Sequence, residues 1–185
     1  MAAEAERWTV REPNVIGDWQ EYADEHAGLR VRVHGLEKAE PPHGRDGAAE
    51  GLTYFRFRVT VENRMGKPVG VHLEDGQFDI RVGTDGESAF LDWRNSRFVE
   101  GFDLYPLRRV TAVLYAAAPE SSLNVVDIQV QLKADDDWAD RYLWSGGLPA
   151  PDGPPGTDTR ADGAPEGLMG QIAVFLREQA ERGQS

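Results

Sequence analysis

The stretch that decides the fold is "YFRFRVTVEN", residues 54–63, in which apolar side chains recur at every second position. A period of two is that of a β-strand, whose successive side chains point to opposite faces. The predicted core face carries Phe55, Phe57, Val59 and Val61. The opposite face carries Tyr54, Arg56, Arg58 and Thr60, so an acidic protein sets two arginines on the outer side of a central strand.

The same alternation appears on both sides of this stretch. Gly- and Pro-containing turn signals such as "NRMGKP" and "GTDGES" separate the alternating segments, and no helical pattern lies between them. Six or seven short strands of this kind predict an all-β fold, an antiparallel immunoglobulin-like β-sandwich, with a closed barrel as the alternative. The further strand segments are residues 28–35, 69–73, 77–82, 108–119 and 122–132.

The composition changes along the chain and predicts four parts. Residues 1–25 form an N-terminal segment, and residues 26–145 form the sandwich. Residues 146–167 are rich in Pro, Gly and Asp, as a solvated linker is. Residues 168–182 place Leu168, Ile172, Phe175 and Leu176 on one face of an amphipathic helix. A helix of this length is marginal alone, so we expect it to dock, in cis on its own sandwich or in trans in a partner's groove.

The charge and the residue types exclude several classes of function. With 185 residues and a net charge of -12, the protein is not expected to bind nucleic acid or an anionic membrane. It contains no cysteine, which excludes disulfides and thiolate chemistry. The start lacks a signal-peptide pattern, so the chain as written is expected in the cytoplasm, or outside the cell if the start has been trimmed.

No motif in the sequence predicts catalysis. A nucleophile elbow, a phosphate-binding loop and histidines at zinc-ligand spacing are all missing. We therefore predict a protein that is not an enzyme, with no catalytic residue, no metal ligand and no cofactor. Carboxylates cluster at residues 135–140, where a calcium site and an ordinary solvated loop both remain open.

Three longer segments carry a resemblance to a known family. They are "VIGDWQEYADEHAGLRVRVHGLEKAE" (15–40), "FRFRVTVENRMGKPVGVHLEDGQFDIRVGTDG" (55–86) and "FDLYPLRRVTAVLYAAAPESSLNVVDIQV" (102–130). Together they resemble a bacterial immunoglobulin-like family of mostly exported proteins and lipoproteins, of the mycobacterial immunoprotective-antigen type. Leu107 departs from the pattern, because a glycine usually follows the proline there. The resemblance implies a β-sandwich that binds or displays, without transferable catalytic residues.

Two sets of residues are candidates for binding a protein partner. Arg30, Arg32, Arg56 and Arg58, with Arg81 as a further member, take the outward positions of their strands and would form a positive stripe if these strands are neighbours. The stripe would dock an acidic partner segment. The alternative is cross-strand pairing within the sheet, for which the predicted acidic partners are Glu62, Asp79 and Asp127.

The second set is the aromatic segment around Trp93, which also contains Arg94 and Arg97. Aromatic residues with arginine are typical anchors of protein interfaces, and they also stack on sugar rings. The alternative is that large aromatics close the open ends of a small sandwich. The function predicted from these features is a non-enzymatic protein-interaction module, with the helix residues Phe175 and Leu176 as a second contact. A small-ligand or carbohydrate-binding sandwich that uses the Trp93 loop is the alternative.

Overall fold

A computed structural model describes residues 12–40 and 51–148 of the chain, and these residues form two β-sheets that face each other. Both sheets supply the core between them: Phe57 and Leu114 from one, and Ile128 and Trp144 from the other, are fully buried in one cluster. The predicted all-β sandwich is therefore confirmed at the level of two packed sheets. No helix in the described residues is long and apolar enough to cross a membrane.

The described residues contain twelve strands and three short 3-10 turns. The turns are Asp24–His26, Asp75–Gln77 and Glu120–Ser122. In chain order, the strands are β1 (Asn14–Val15), β2 (Trp19–Glu21), β3 (Leu29–Lys38), β4 (Leu52–Asn63), β5 (Val69–Leu73), β6 (Phe78–Val82), β7 (Glu87–Ser88), β8 (Phe90–Leu91), β9 (Val99–Leu104), β10 (Arg109–Pro119), β11 (Val126–Ala134) and β12 (Asp137–Gly146).

The strands divide between the sheets in a fixed order. The first sheet runs β1-β12-β11-β5-β9, with β6 also paired to β11 and β7 paired to β6. The second sheet runs β2-β3-β4-β10-β8. All pairs are antiparallel except β1 with β12, which is parallel. Strand β4 is the middle strand of the second sheet, as its alternating pattern indicates.

The two faces of β4 have different surroundings. Its core face is fully buried, with no exposure at Phe55, Phe57, Val59 or Val61. On its outer face Thr60 is also buried, and its hydroxyl is satisfied there by His34 Nε2 and Thr111 Oγ1, each 2.8 Å away. The outer face of the second sheet is thus a layer of interacting polar side chains.

Strand β12 was not predicted, because its turn lacks the usual glycine signal. Asp135 and Asp136 form the two-residue turn of the β11–β12 hairpin, both with positive φ, of 48° and 70°. Such turns favour Asn-Gly or Asp-Gly, and aspartate tolerates this conformation less readily than glycine. The Asp135 carboxylate compensates by accepting a 2.7 Å hydrogen bond from the Gly70 amide and pairing with Lys67 at 3.5 Å.

The ends of the described fold differ slightly from the predicted boundaries. Strand β12 continues to Gly146, and Leu148 is buried and donates its N–H to the Leu123 carbonyl at 2.8 Å. The first residues of the predicted linker therefore belong to the sandwich. At the other end, β2 lies within the predicted N-terminal segment. The predicted helix 168–182, with its contact residues Phe175 and Leu176, lies outside the described residues.

Leu107 occupies a strained position in the turn between β9 and β10. Its φ is 61°, in the left-handed region that glycine favours, and its side chain is 78% exposed. The turn is anchored on the buried Asn63, whose carbonyl accepts the Leu107 N–H at 2.7 Å and whose amide donates to the Leu104 carbonyl at 2.7 Å. The backbone here is held by these hydrogen bonds, so the leucine must adopt a conformation that it disfavours.

We expect Leu107→Gly to raise the free energy of unfolding by about 0.5–1 kcal/mol. The left-handed conformation costs a non-glycine residue about 1–2 kcal/mol, and the extra chain entropy of glycine offsets part of this gain. Urea unfolding would measure the difference. Leu107→Ala is the matched control, because it removes the exposed side chain but keeps the strain, and it should bring no gain. A glycine variant less stable than wild type would show that the leucine side chain itself stabilises the turn.

Candidate docking surface

The outer side of the second sheet collects arginines from three neighbouring strands, and we call it the arginine face. The described strands contribute Arg30 and Arg32 from β3, Arg56 and Arg58 from β4, and Arg109 from β10. Glu37 and Glu62 are the acidic residues among them, which leaves a local net charge of +3. At the rim Arg64 and Glu21, 3.5 Å apart, cancel each other. This face is positive although the whole chain carries -12.

One half of the arginine face is built around the buried carboxylate of Glu62. Arg30 Nε donates to Glu62 Oε2 at 2.6 Å, and Arg109 Nε lies 3.2 Å from the same oxygen. The Trp19 ring covers them, 4.1 Å from the Arg30 guanidinium carbon and 5.6 Å from that of Arg109. Burial alone would raise the pKa of Glu62, but the hydrogen bonds and charges of Arg30 and Arg109 lower it below its ordinary value. This half is a structural cluster.

The other half is more open and more weakly paired. Glu37 Oε1 accepts a hydrogen bond from Arg56 Nε at 2.7 Å and lies 3.9 Å from Arg58. All three side chains are about half exposed, and ion pairs of this kind contribute little to stability. Arg58 lies across Gly35, where an added Cβ would come within 3.6 Å of its Nε. The guanidinium groups of Arg56 and Arg58 are therefore accessible to a partner.

Glu37 is a partner that simple alternation does not predict. Leu29, Val31 and Val33 point inward, so strict alternation would turn residue 37 inward as well. The structure has a bulge between His34 and Glu37, with Gly35 at a φ of 64°, and the bulge moves Glu37 to the outer face opposite Arg56. Arg109 and Trp19 are further members of this face that the sequence reasoning missed. Arg109 could have been predicted, because it takes an outward position in the alternating segment "RRVTAV".

Arg81 does not belong to the arginine face. It lies on β6 in the first sheet, where its guanidinium makes 2.8 and 3.2 Å hydrogen bonds to Asp79. Its directly opposite neighbour on β11 is Asp127. Of the predicted acidic partners, Glu62 thus pairs with Arg30. Asp79 pairs with Arg81 on the other sheet, where Asp127 lies opposite Arg81 in strand register, and neither aspartate is a neighbour of Arg56 and Arg58.

The Trp93 segment joins the arginine face through strand register. Asp92 is buried and accepts hydrogen bonds from the Asn95 backbone and side chain, which shapes the turn. Arg97 then forms an isolated antiparallel bridge with Val113 of β10, with backbone hydrogen bonds of 2.7 and 3.0 Å. Val113 is opposite Arg58 on β4, so Arg97 continues the same row across the sheet. The two predicted sets of residues therefore adjoin each other.

A shallow groove of about 920 Å³ runs beside this segment. Trp93 is 57% exposed at its edge, with the Arg94 guanidinium carbon 5.1 Å from the ring centre. The groove mixes both signs of charge and is lined by Glu74, Asp75, Trp93, Arg94, Ser96, Arg97, Phe98 and Glu100. Within the described residues, no three His, Asp or Glu side chains come together in a way that could hold a metal ion.

At the level of sequence, no family model and no curated protein matches the chain. Solved structures with a similar fold include the secreted protein MPT63 from Mycobacterium tuberculosis, with 16% identity over 64% of this chain and 89% of that one, at a TM-score of 0.45. The YjhA protein of Bacillus subtilis is 15% identical over 63% of this chain and 81% of that one, at a TM-score of 0.44.

A candidate lipoprotein from Bacillus subtilis, YcdA, is 11% identical at a TM-score of 0.46. The match covers 64% of this chain and only 36% of that longer protein. These proteins include a secreted mycobacterial protein, the type that the sequence motifs resemble. The likeness is one of fold alone.

Proposed function

We propose that the chain is a non-enzymatic protein-interaction module, an immunoglobulin-like sandwich that binds an acidic segment of a partner protein on its arginine face. The observation that carries the proposal is the sign of the charge. A face with a net charge of +3 lies on a chain of -12, so this face attracts carboxylates that the rest of the surface repels.

The division of the face into two halves supports the proposal. The Glu62 cluster holds the strands together, while Arg56 and Arg58 are half exposed and share one weakly held carboxylate. Carboxylates from a partner can therefore pair with these arginines without breaking the fold. Arginine forms bidentate, charge-assisted hydrogen bonds to carboxylates, and it is enriched at protein interfaces together with aromatic residues such as the adjoining Trp93.

The test uses two fluorescein-labelled peptides with the full chain. In the first, glutamate alternates with serine, and in the second, glutamine replaces every glutamate. We expect fluorescence anisotropy to show binding of the glutamate peptide only, weakening as salt rises from about 0.05 M to about 0.5 M because ions screen exposed charges. Equal binding of both peptides, or no binding of either, would overturn the proposal.

A second candidate function is supported by the exposed Trp93. The groove beside it is open, and a tryptophan face backed by Arg94 is a surface on which a sugar ring or another flat ligand can stack. We expect a glycan that binds there to change the tryptophan fluorescence of wild type but not of Trp93→Ala. If no glycan in a broad set changes the tryptophan fluorescence of the wild type, this candidate function is contradicted.

A further inference from the structure

Arg32 lacks the acidic partner that its neighbours on the arginine face have. Arg30, Arg56 and Arg58 each face a carboxylate, but among the described residues no carboxylate lies within ion-pair distance of Arg32. Its Nε–H is buried and has no hydrogen-bond acceptor within residues 12–40 and 51–148. The Trp19 ring lies 5.8 Å from its guanidinium carbon on one side. A buried donor without an acceptor is unfavourable, so an anion that paired with the accessible part of the Arg32 guanidinium would offset part of this cost.

Arg32 belongs to a square of outward side chains on two neighbouring strands. Arg32 on β3 is directly opposite Thr60 on β4, and His34 is directly opposite Arg58. Arg32 and Arg58 are therefore diagonal neighbours, a spacing of about 7–8 Å that long side chains still bridge, so one small anion above the square is within reach of both guanidinium groups. The Thr60 hydroxyl and the His34 Nε2 atom, 2.8 Å apart, form the polar floor.

The pKa of His34 reflects its burial and the positive charge of the arginines around its imidazole. Burial lowers the pKa of His34, and the charges of Arg32 and Arg58 lower it further. The other groups that face it are the hydroxyl of Thr60 and, next to it, that of Thr111, which carry no charge. Glu37 at the border accepts a hydrogen bond from Arg56 at 2.7 Å and lies 3.9 Å from Arg58, so it offsets the charge of Arg58 only in part and, among the described residues, makes no ion pair with Arg32.

We propose that Arg32, His34, Thr60 and Arg58 form an anion site that takes one carboxylate of an acidic protein segment. This inference rests on the proposed docking function and specifies where on the arginine face a carboxylate of the partner binds. A protein carboxylate is favoured over a nucleic-acid phosphate because nucleic-acid affinity comes from many phosphate contacts, and the chain around this face is strongly acidic. One carboxylate needs only the two guanidinium groups of the square.

The experiment combines peptide binding with the titration of His34. The glutamate–serine peptide is bound to wild type, Arg32→Gln and Arg58→Gln, with Arg81→Gln from the first sheet as the matched control. The His34 ring proton, assigned by its loss in His34→Gln, is followed by NMR against pH with and without the peptide. We expect each variant of the square to weaken binding about tenfold or more, and Arg81→Gln to bind as wild type does. In wild type, the bound carboxylate should move the His34 titration to higher pH.

The outcomes separate this inference from the docking function on which it rests. If Arg32→Gln and Arg58→Gln bind normally and the His34 titration does not move, the anion site is wrong, although binding to wild type would still support the docking face. If wild type does not bind the peptide, both proposals fall. If Arg32→Gln does not fold, the exposed Arg58→Gln and the His34 titration decide the question, and normal results in both would overturn the site.

Discussion

The double variant Arg56→Glu/Arg58→Glu is expected to lose binding of the glutamate–serine peptide while it keeps nearly the stability of wild type. Its two arginines are the accessible cations of the arginine face, and reversing them turns attraction for a carboxylate into repulsion. Their own acidic contact is Glu37, which is about half exposed, so the fold depends little on them. Fluorescence anisotropy and urea unfolding of the same preparations measure the two effects.

The matched control is Arg81→Glu/Arg141→Glu on the first sheet. Both residues are exposed arginines, and the control changes the net charge of the chain by the same amount. Arg81 pairs with Asp79, and Arg141 donates to Gln131 at 2.7 Å, so their local contacts are comparably modest. If the control loses binding as completely as the double variant, overall charge and not the arginine face controls binding. If the double variant unfolds but its folded fraction still binds, these arginines stabilise the sheet and the docking proposal fails.

Glu62→Gln is expected to lower the free energy of unfolding by about 1.5–3 kcal/mol at neutral pH. The carboxylate accepts charge-assisted hydrogen bonds from Arg30 and approaches Arg109, and its side chain is only 9% exposed. Hydrogen bonds to charged groups are worth about that amount, and the glutamine removes the negative charge that faces the guanidinium groups of Arg30, Arg109 and Arg64. Glu37→Gln is the matched control, because its half-exposed carboxylate should matter much less.

The effect of Glu62→Gln should also depend on pH. The pKa of Glu62 is lowered in the folded protein from its ordinary value of 4.5, so the unfolded chain binds the proton more readily. Its contribution is therefore complete above about pH 4.5 and is lost as pH falls through the lower folded pKa. Urea unfolding at about pH 7 and at about pH 3 should show that the difference in the free energy of unfolding between wild type and variant becomes smaller in acid.

His34 does not disturb this comparison. Its pKa is also lowered, so its protonation below about pH 6.5 lowers the free energy of unfolding of both proteins alike. A difference that is independent of pH would mean that Glu62 acts through packing and not through its charge.

The alternation of apolar and polar residues was enough to predict the core, because a strand with one buried face has an apolar residue at every second position. Phe55, Phe57, Val59 and Val61 are fully buried as that pattern indicates. The hairpin turn at Asp135 and Asp136 could not be predicted from the sequence because it contains no glycine, and strand β12 was therefore not predicted either. Here the tertiary contacts of the Asp135 side chain replace the usual turn residue.

The composition of the arginine face could be predicted only in part, because it depends on which strands are neighbours. Outward parity identified Arg30, Arg32, Arg56 and Arg58, but it also selected Arg81, which lies on the other sheet. Parity carries no information about the pairing of strands that are far apart in the chain. The bulge that brings Glu37 beside Arg56 and the bridge that places Arg97 beside Val113 are likewise results of sheet register.

The most direct measurement of the central claim is an NMR map of the surface that the acidic peptide touches. The glutamate–serine peptide is added to the isotope-labelled full chain, and shifts are followed at backbone amides and arginine side chains. We predict that the largest changes cluster on the outward residues of β3, β4 and β10 and at Arg97, with little change on β6 and β11 of the first sheet. Changes that concentrate on the first sheet, or that spread evenly over all exposed arginines, would contradict the arginine face as the docking surface.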